Sequence, residues 1–265
     1  MLSHAYFPSH AENRMESEGD LVAARDVFLK RRPNNLTALL RLRYSWMNRY
    51  LEGRERVVEL GAGAGFSKFF LNAPQLILTD YEQYPWIDQA VDALHTPFED
   101  RSVDVVIASH MIHHLASPMK FFREMRRILK SSGRILIQEI NTSLLMRVLL
   151  RIMRHEGWSY AVDVFDENVI ANDPSDPWSA NCAIPELLFR DSDRFENAVP
   201  WFKVELNRVC ECLLFPLSGG VIAKTKTVNL PKPMLSLVEG MDSLLVRGCP
   251  GLFALGRSVV LRANA

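Results

Sequence analysis

The stretch "VVELGAGAGFSKFF", Val57 to Phe70, sets three glycines, Gly61, Gly63 and Gly65, between two apolar runs, with Glu59 two residues ahead of the first. Without Cβ atoms the chain can turn sharply there, and a ligand can touch the backbone. A helix following such a loop offers free N–H groups and the positive end of its dipole to an anionic group. A tight strand-to-helix turn accounts for the same residues with no ligand at all. A dinucleotide fingerprint, GxGxxG, needs a further glycine where this chain has Phe66 or Lys68. The loop therefore does not match the pyrophosphate cradle of a nicotinamide oxidoreductase.

Outward from the loop, "LILTDY" ends a second apolar run on Asp80, where a carboxylate can accept both hydroxyls of a ribose. "VDALHTPFEDRSVDVVIAS" supplies Asp92 after a third run and Asp104 at the start of a fourth. Asp92 can accept from an exocyclic adenine amine, with Ala93 leaving room beside the ring. Each acid taken alone reads as a cap or a solvated turn residue; their order is what makes them a set. Strands are expected over 56–60, 76–80, 86–92, 103–109 and 133–140. Met119, Phe122, Met125 and Ile128 recur at helical spacing within 117–130. Continuous apolar strands alternating with helices indicate a parallel sheet covered on both faces.

Two helical stretches, 12–31 and 35–52, precede the loop, with Asn34 or Asn35 available to cap the second. Past Ile140 an amphipathic helix and the Asn/Asp/Pro-rich "NDPSDPWSANCAIP" read as an insertion over the sheet. A strand over 203–215, a turn at "LSGG", a helix near 232–247 and a last strand over 257–263 suit a doubly wound sheet with an antiparallel edge. The expected organisation is one α/β domain: a helical cap (1–54), a cofactor-binding core (55–140), an acceptor-site insertion (141–200) and C-terminal strands with a helix (201–265).

Residues 55–140 resemble the class I S-adenosylmethionine-dependent methyltransferases of the small-molecule type. The carriers are "VVELGAGAGFSKFF", "LILTDY", "VDALHTPFEDRSVDVVIASHMIHHL" and "MKFFREMRRILKSSGRILIQEI". The resemblance implies a Rossmann-like seven-strand sheet of order 3-2-1-4-5-7-6, strand 7 antiparallel, with helices on both faces. It implies S-adenosyl-L-methionine as cofactor. Glu59, Gly61, Ala62, Gly63 and Gly65 would line its methionine part. Asp80 would hold ribose, with Tyr81 beside the adenine and Asp92 and Ala93 at the adenine edge. Ser109 would lie near the methionine end. "KSSG" (130–133) departs from the usual Lys-Pro-Gly-Gly of the family, at a turn away from the cofactor. "RYSWMNRYL" before the loop and "SGG" before the C-terminal helix give a looser similarity to methyltransferases of bacterial surface-polysaccharide synthesis.

Methyl transfer from a sulfonium needs alignment, exclusion of water and, for some acceptors, a base. No metal-ligand cluster is evident in the sequence, so no metal is expected. His110, His113, His114 and His155 are candidate bases. His110 is the preferred one, and His113 and His114 are assigned positioning roles. Glu139 ends the fifth strand, where it can anchor a substrate hydroxyl or cap a turn. Trp158, Tyr160, Trp178 and Trp201 can stack on a sugar or an apolar acceptor, or fill core. Arg147, Arg151 and Arg154 share a helix face that suits a phosphate or plain solvent. Leu145, Leu149 and Ile152 on another side permit shallow membrane contact or core packing.

The expected acceptor is small, sugar or lipid-linked, methylated at oxygen; a quinone or lipid precursor methylated at carbon and a non-catalytic cofactor-binding module are the alternatives. Thirty-one basic and 31 acidic residues leave no surplus charge for nucleic acid as the main partner. Cys182, Cys210, Cys212 and Cys249 form no CxxC pair and read as reduced thiols, with Cys210 and Cys212 on one strand face. Neither a signal peptide nor an apolar run of spanning length is evident, so a cytoplasmic location is expected, with peripheral contact at the inner membrane surface left open.

Overall fold

Val105, Val106, Ile107 and Ala108 are all fully buried, so the strand they form is covered on both faces. The computed structural model describes residues 4–8, 20–176, 178–222 and 227–264. Its strands are β1 (Ala5–Tyr6), β2 (Val57–Leu60), β3 (Leu76–Asp80), β4 (Gln89–Ala90), β5 (Val103–Ser109), β6 (Leu129–Ile140), β7 (Trp158–Ser159), β8 (Phe202–Cys210) and β9 (Gly256–Ala263). Seven of them form one sheet in the order β4-β3-β2-β5-β6-β9-β8. The strands from β4 to β6 pair in parallel, and β9 runs antiparallel to both β6 and β8. Counted from β2, that is the order 3-2-1-4-5-7-6 expected from the resemblance.

Alternation along the strands divides the core. Val58, Leu60, Val106, Ala108, Ile135 and Ile137 face one way, against Met119, Phe122, Met125 and Ile128 of α3 (Pro118–Ile128). Val57, Val105, Ile107, Leu136 and Val260 face the other way. There they meet Phe28 of α1 (Leu21–Arg31) and Leu36, Leu40 and Tyr44 of α2 (Asn34–Tyr44). The N-terminal helices thus cover a sheet face as well as reaching the glycine loop, where Arg25 of α1 donates to the Ala64 carbonyl at 2.5 Å.

They take that face because the helix expected after the glycine loop is only a 3₁₀ turn, Phe66–Phe69. Pro74 disfavours helical geometry at Ala73, and the Asn48 side chain ties down the intervening chain at the Phe70 carbonyl and the Asn72 N–H. No sizeable helix dipole therefore stands behind the loop. The third strand is also shorter than expected, Gln89–Ala90 instead of 86–92. Trp86 is drawn back to donate to the Gly63 carbonyl at 2.8 Å, and the Ile87 N–H closes a turn on Tyr84.

Asn34 and Asn35 lie inside α2 and do not cap it; Asn229 does so from a distance, accepting from both their backbone N–H groups at 2.8 and 3.4 Å. The first expected helix begins at Leu21 behind an Asp20 cap, and 12–19 lie outside the described residues. The strand expected over 203–215 stops at Cys210, because Glu211 turns the chain at φ 60°. Cys212 leaves the strand; at the start of α7 (Leu214–Ser218) its N–H and those of Leu213 and Leu214 all donate to Asp242, which lies far along the chain. All four cysteines are free thiols. The remaining helices are α4 (Leu144–Met153), α5 (Ile184–Phe189), α6 (Ser192–Ala198), α8 (Lys232–Gly248) and α9 (Pro250–Phe253). No described helix is long and apolar enough to cross a membrane.

Candidate active site

Two adjoining cavities, of about 280 and 190 Å³, open at the carboxyl ends of β2, β3 and β5. Gly61, Gly63, His110, His114, Trp178 and Ile222 wall both. Asp80, Tyr81, Asp92 and Ala93 line the first, and Ala62 and Ser109 line the second. Of the residues expected at the cofactor, these and the two glycines reach a wall. Glu59 and Gly65 do not: Glu59 is buried beneath the loop, and Gly65 ends the loop at φ 64° against Trp86 and Arg25.

Gly61 sits at φ 68°, and a Cβ there would come within 2.8 Å of the Met111 Cβ. Only glycine permits that approach. The Gly63 N–H donates to Asp80 Oδ2 at 2.7 Å, so the second strand end holds the loop that follows the first. Burial raises the Asp80 pKa, against the lowering effect of that N–H. Asp92 accepts from the Leu94 N–H at 2.8 Å and faces the same cavity. Glu59 is fully buried and accepts from the Ser67 hydroxyl. Burial, with the Asp80 charge adding, pushes its pKa up to about 8. Its Oε1 has no partner among the described residues.

His110 stands at the junction of the cavities with φ 54°, its N–H held by the Gln138 carbonyl at 2.7 Å. Burial, then the nearby Arg43 charge, lowers its pKa well below that of an ordinary imidazole, so it is neutral and able to accept a proton. Glu139 reaches neither cavity. It is fully buried behind His113, accepting from His113 Nδ1 and the Ile112 N–H, both at 2.6 Å. An anchor for a substrate hydroxyl is not available there; what Glu139 does is orient an imidazole.

The second cavity also holds groups that the sequence did not single out. Arg43 lines it and makes a buried bidentate pair with Glu211 at 2.9 and 2.7 Å. The Tyr44 hydroxyl, close to Glu59 and Ser109, is pushed up in pKa chiefly by burial. The carboxylate of Glu156 lies among three histidines: His113 Nε2 at 3.8 Å, His114 Nε2 at 3.9 Å and His155 Nε2 at 3.9 Å. Burial opposes charge on both His113 and Glu156; on His113 the carboxylates of Glu139 and Glu156 outweigh it and raise the pKa, and on Glu156 the three imidazoles and the Cys182 thiol outweigh it and lower the pKa. His114 is lowered to about 4, by burial and then by the charge of His113. The ligating atoms of His113, His114 and Glu156 fall within 4.8 Å of one another, although no metal-ligand set was legible in the sequence. Nothing in their spacing along the chain signals it, because the fold folds 141–200 back over the turn after β5.

Among the aromatics singled out, Trp178 reaches the cavities. Trp158 is fully buried against Tyr6, the Tyr160 hydroxyl bonds Thr142 and Glu186, and Trp201 packs under Arg123 and Arg126. The described cavity walls include none of Arg147, Arg151 and Arg154.

Residues 58–137 match the family described as "Methyltransferase domain". The chain is 31% identical over 97 residues to a protein of Mycobacterium tuberculosis (strain ATCC 25618 / H37Rv) described as "Probable S-adenosylmethionine-dependent methyltransferase", over 32% of this chain and 35% of that one. It thus spans about a third of the length of that relative. A "Highly reducing polyketide synthase" of Pyrenophora dematioidea is 32% identical over 114 residues, 32% of this chain and 4% of that one. Among solved structures, a Thermotoga maritima protein described as "SAM-dependent methyltransferase, possible histamine N-methyltransferase" superposes with a TM-score of 0.50 at 17% identity. That likeness of fold covers 93% of this chain and 96% of the other.

Proposed function

We propose that this chain, whose residues 58–137 match a methyltransferase domain, is a class I S-adenosylmethionine-dependent methyltransferase that transfers a methyl group from that cofactor to a small acceptor at oxygen. The supporting observation is the wall that the two cavities share. On one side stand two carboxylates suited to a nucleoside, Asp80 and Asp92; on the other stands a polar cluster suited to an acceptor; Gly61, Gly63 and His110 lie between. The residues fit the cofactor, since the two glycines leave bare backbone on the wall and the acids sit at successive strand ends.

S-adenosylmethionine supplies a methyl group already activated on a sulfonium. The chain's own contribution is placement. Asp80 and Asp92 accept from the nucleoside, and the loop backbone approaches the methionine part. Leu40, Phe66, Met146, Leu150 and Phe215 line the acceptor half and keep water out. His110, neutral and at the junction, can take a proton from an acceptor hydroxyl.

The acceptor class we propose is a small or glycan-related hydroxyl compound, supported by Arg43, His155 and Glu156 as hydrogen-bonding groups on that wall. The apolar lining favours a second reading, a quinone or lipid precursor methylated at carbon. So does the exposed row of Met234, Leu237, Met241 and Leu244 on α8, which suits peripheral contact with a membrane surface.

Calorimetric titration with S-adenosylmethionine and S-adenosylhomocysteine is the test. Each hydrogen bond to a carboxylate is worth about 1.5–3 kcal/mol, so Asp80→Ala and Asp92→Ala should each weaken binding roughly 10–100-fold. Wild-type protein that folds but binds neither compound refutes the reading. S-adenosylhomocysteine release with nucleotide sugars, as against release requiring quinones or lipid vesicles, separates the two acceptor classes. Release with any acceptor eliminates a purely regulatory cofactor-binding module.

A further inference from the structure

We propose that His113, His114 and Glu156 form a binding site for a divalent transition-metal ion of the zinc class on the wall of the acceptor half. His113 Nε2 and His114 Nε2 lie 3.8 and 3.9 Å from the two oxygens of Glu156. Those separations are too long for hydrogen bonds, which are typically no longer than about 3.2 Å and are not made at ~3.6 Å. Two bonds of about 2.1 Å at a tetrahedral angle set ligand atoms roughly 3.4 Å apart; each imidazole stands within about half an ångström of that separation from one Glu156 oxygen, and one ligating atom from each residue falls within 4.8 Å of the other two, so rotation of side chains suffices to draw the set together.

The orientation of the rings is the stronger observation. His113 Nδ1 donates to Glu139 at 2.6 Å, and His114 Nδ1 faces the Ser179 carbonyl at 3.2 Å. A carbonyl can only accept, so His114 carries its proton on Nδ1. A neutral imidazole then turns the lone pair of Nε2 toward Glu156. At His114 two acceptors then face one another across 3.9 Å in a buried place, and the donor that Glu156 does have, the Cys182 thiol at 3.3 Å, reaches its other oxygen; a cation between Nε2 and Oε1 relieves that repulsion. Held Nδ1–H groups with free Nε2 atoms are how metal-binding histidines are fixed, by a carboxylate or a backbone carbonyl behind the ring. Here both kinds of support are present.

His155 extends the set. Its Nε2 lies 3.9 Å from Glu156 Oε1, and its Nδ1 is buried without a partner among the described residues. Two imidazoles and a carboxylate suit Zn²⁺, Fe²⁺ or Mn²⁺, and disfavour Ca²⁺ and Mg²⁺, which take oxygen ligands. Three protein ligands leave coordination positions open. Because His113, His114, His155 and Glu156 all line the acceptor half, those positions face the cavity. They suit an oxygen donor on the acceptor, a role that rests on the methyltransferase reading; the site itself does not.

The test uses the full chain, stripped with a chelator and then titrated with Zn²⁺, Mg²⁺ and Co²⁺. The expected result is one Zn²⁺ per chain, no comparable Mg²⁺ binding, and a Co²⁺ visible spectrum of low coordination number. Zn²⁺ should raise the melting temperature of the wild type, because it binds the folded chain. His114→Ala and Glu156→Gln should each lose at least tenfold in Zn²⁺ affinity and most of that stabilisation. Their melting temperatures in chelator, compared with that of stripped wild type, show whether they fold. Stripped wild type that binds no Zn²⁺, or folded variants that bind it as tightly, overturns the proposal. S-adenosylmethionine titration of Glu156→Gln keeps the two questions apart. Zn²⁺ bound by wild type without any cofactor binding upholds the metal site and removes the methyltransferase reading; the reverse pattern does the opposite.

Discussion

The half of the cavity suited to a nucleoside takes Gly61, Gly63, Asp80, Asp92 and Ala93 from the ends of three successive strands, whereas the acceptor half takes Arg43 from α2, His113 and His114 from the turn after β5, Glu156 from beyond α4 and Phe215 from α7. In the first, backbone does most of the work: a glycine that must approach Met111, and a loop N–H held by Asp80. In the second, side-chain charges hold distant segments together. A parallel sheet delivers its strand ends to one edge whatever lies around it, but nothing in a strand pattern brings Arg43 to Glu211 or Glu156 to His114. The first half should therefore be sensitive in ligand affinity, and the second in stability.

The Arg43–Glu211 pair puts that contrast under the greatest load. Both side chains are nearly inaccessible, and Gln138 adds a third contact to Glu211 at 3.0 Å. Arg43→Ala leaves a buried carboxylate without its cation, which costs about 3–5 kcal/mol. At roughly 2–4 °C per kcal/mol for a chain of this size, the melting temperature should fall by about 10 °C. Replacing both partners with methionine should recover most of that loss, since two well-packed apolar groups need no counter-charge. If Arg43→Ala melted like the wild type, the acceptor half would not depend on this pair, and the contrast would fail.

Glu59 tests the other half in the same currency. Burial pushes its carboxyl up to about 8 in the folded chain, against the ordinary 4.5. Between those values the folded chain keeps a proton that the unfolded chain has released. Stability must therefore fall as pH rises, by about 1.4 kcal/mol per pH unit from this one group. The loss is complete above the folded pKa and absent below the unfolded one. Glu59→Gln should remove the slope, as read from denaturant midpoints at several pH values across the window. A wild type whose stability is level there, or an unchanged slope in the variant, would show that Glu59 is ionised beneath the loop.

The two halves also differ in how far the sequence reveals them. The strands and the α3 stripe follow from local patterns with periods of two and 3.6 residues, whereas the order of the strands and the roles of the acids at their ends were legible only through the resemblance of residues 55–140 to a known family. The helix expected after Gly65 does not form, because Pro74 and the Asn48 side chain cut it to a 3₁₀ turn, and α1 and α2 cover the face left bare. Glu139 stands at the predicted strand end but is turned inward to His113, a distinction of a few ångströms that no spacing conveys. Arg43 and Glu156 had no local signal, since each gains its meaning from a partner far along the chain.

The smallest expected effect lies at the opposite end of the sheet, where the departure from Lys-Pro-Gly-Gly leaves a serine at a position that favours glycine. Ser132 is exposed and has φ 63°, while Gly133 behind it is packed so that a Cβ would meet the Lys130 carbonyl oxygen at 2.9 Å. A left-handed conformation costs an L-residue about 1–2 kcal/mol, and glycine escapes that cost at some expense in unfolded-state entropy. Ser132→Gly should therefore gain about 0.5–1 kcal/mol, or roughly 2 °C in melting temperature. Gly133→Ala at the neighbouring position should lose stability, because its Cβ has nowhere to go. Ser132 lies at the start of β6 and both cavities at strand carboxyl ends, so Ser132→Gly should leave S-adenosylmethionine and Zn²⁺ affinities where they were. If stability rose and either affinity moved with it, the two halves would be coupled through the sheet, and the division between a backbone-built site and a charge-built one would have to give way to a single cooperative unit.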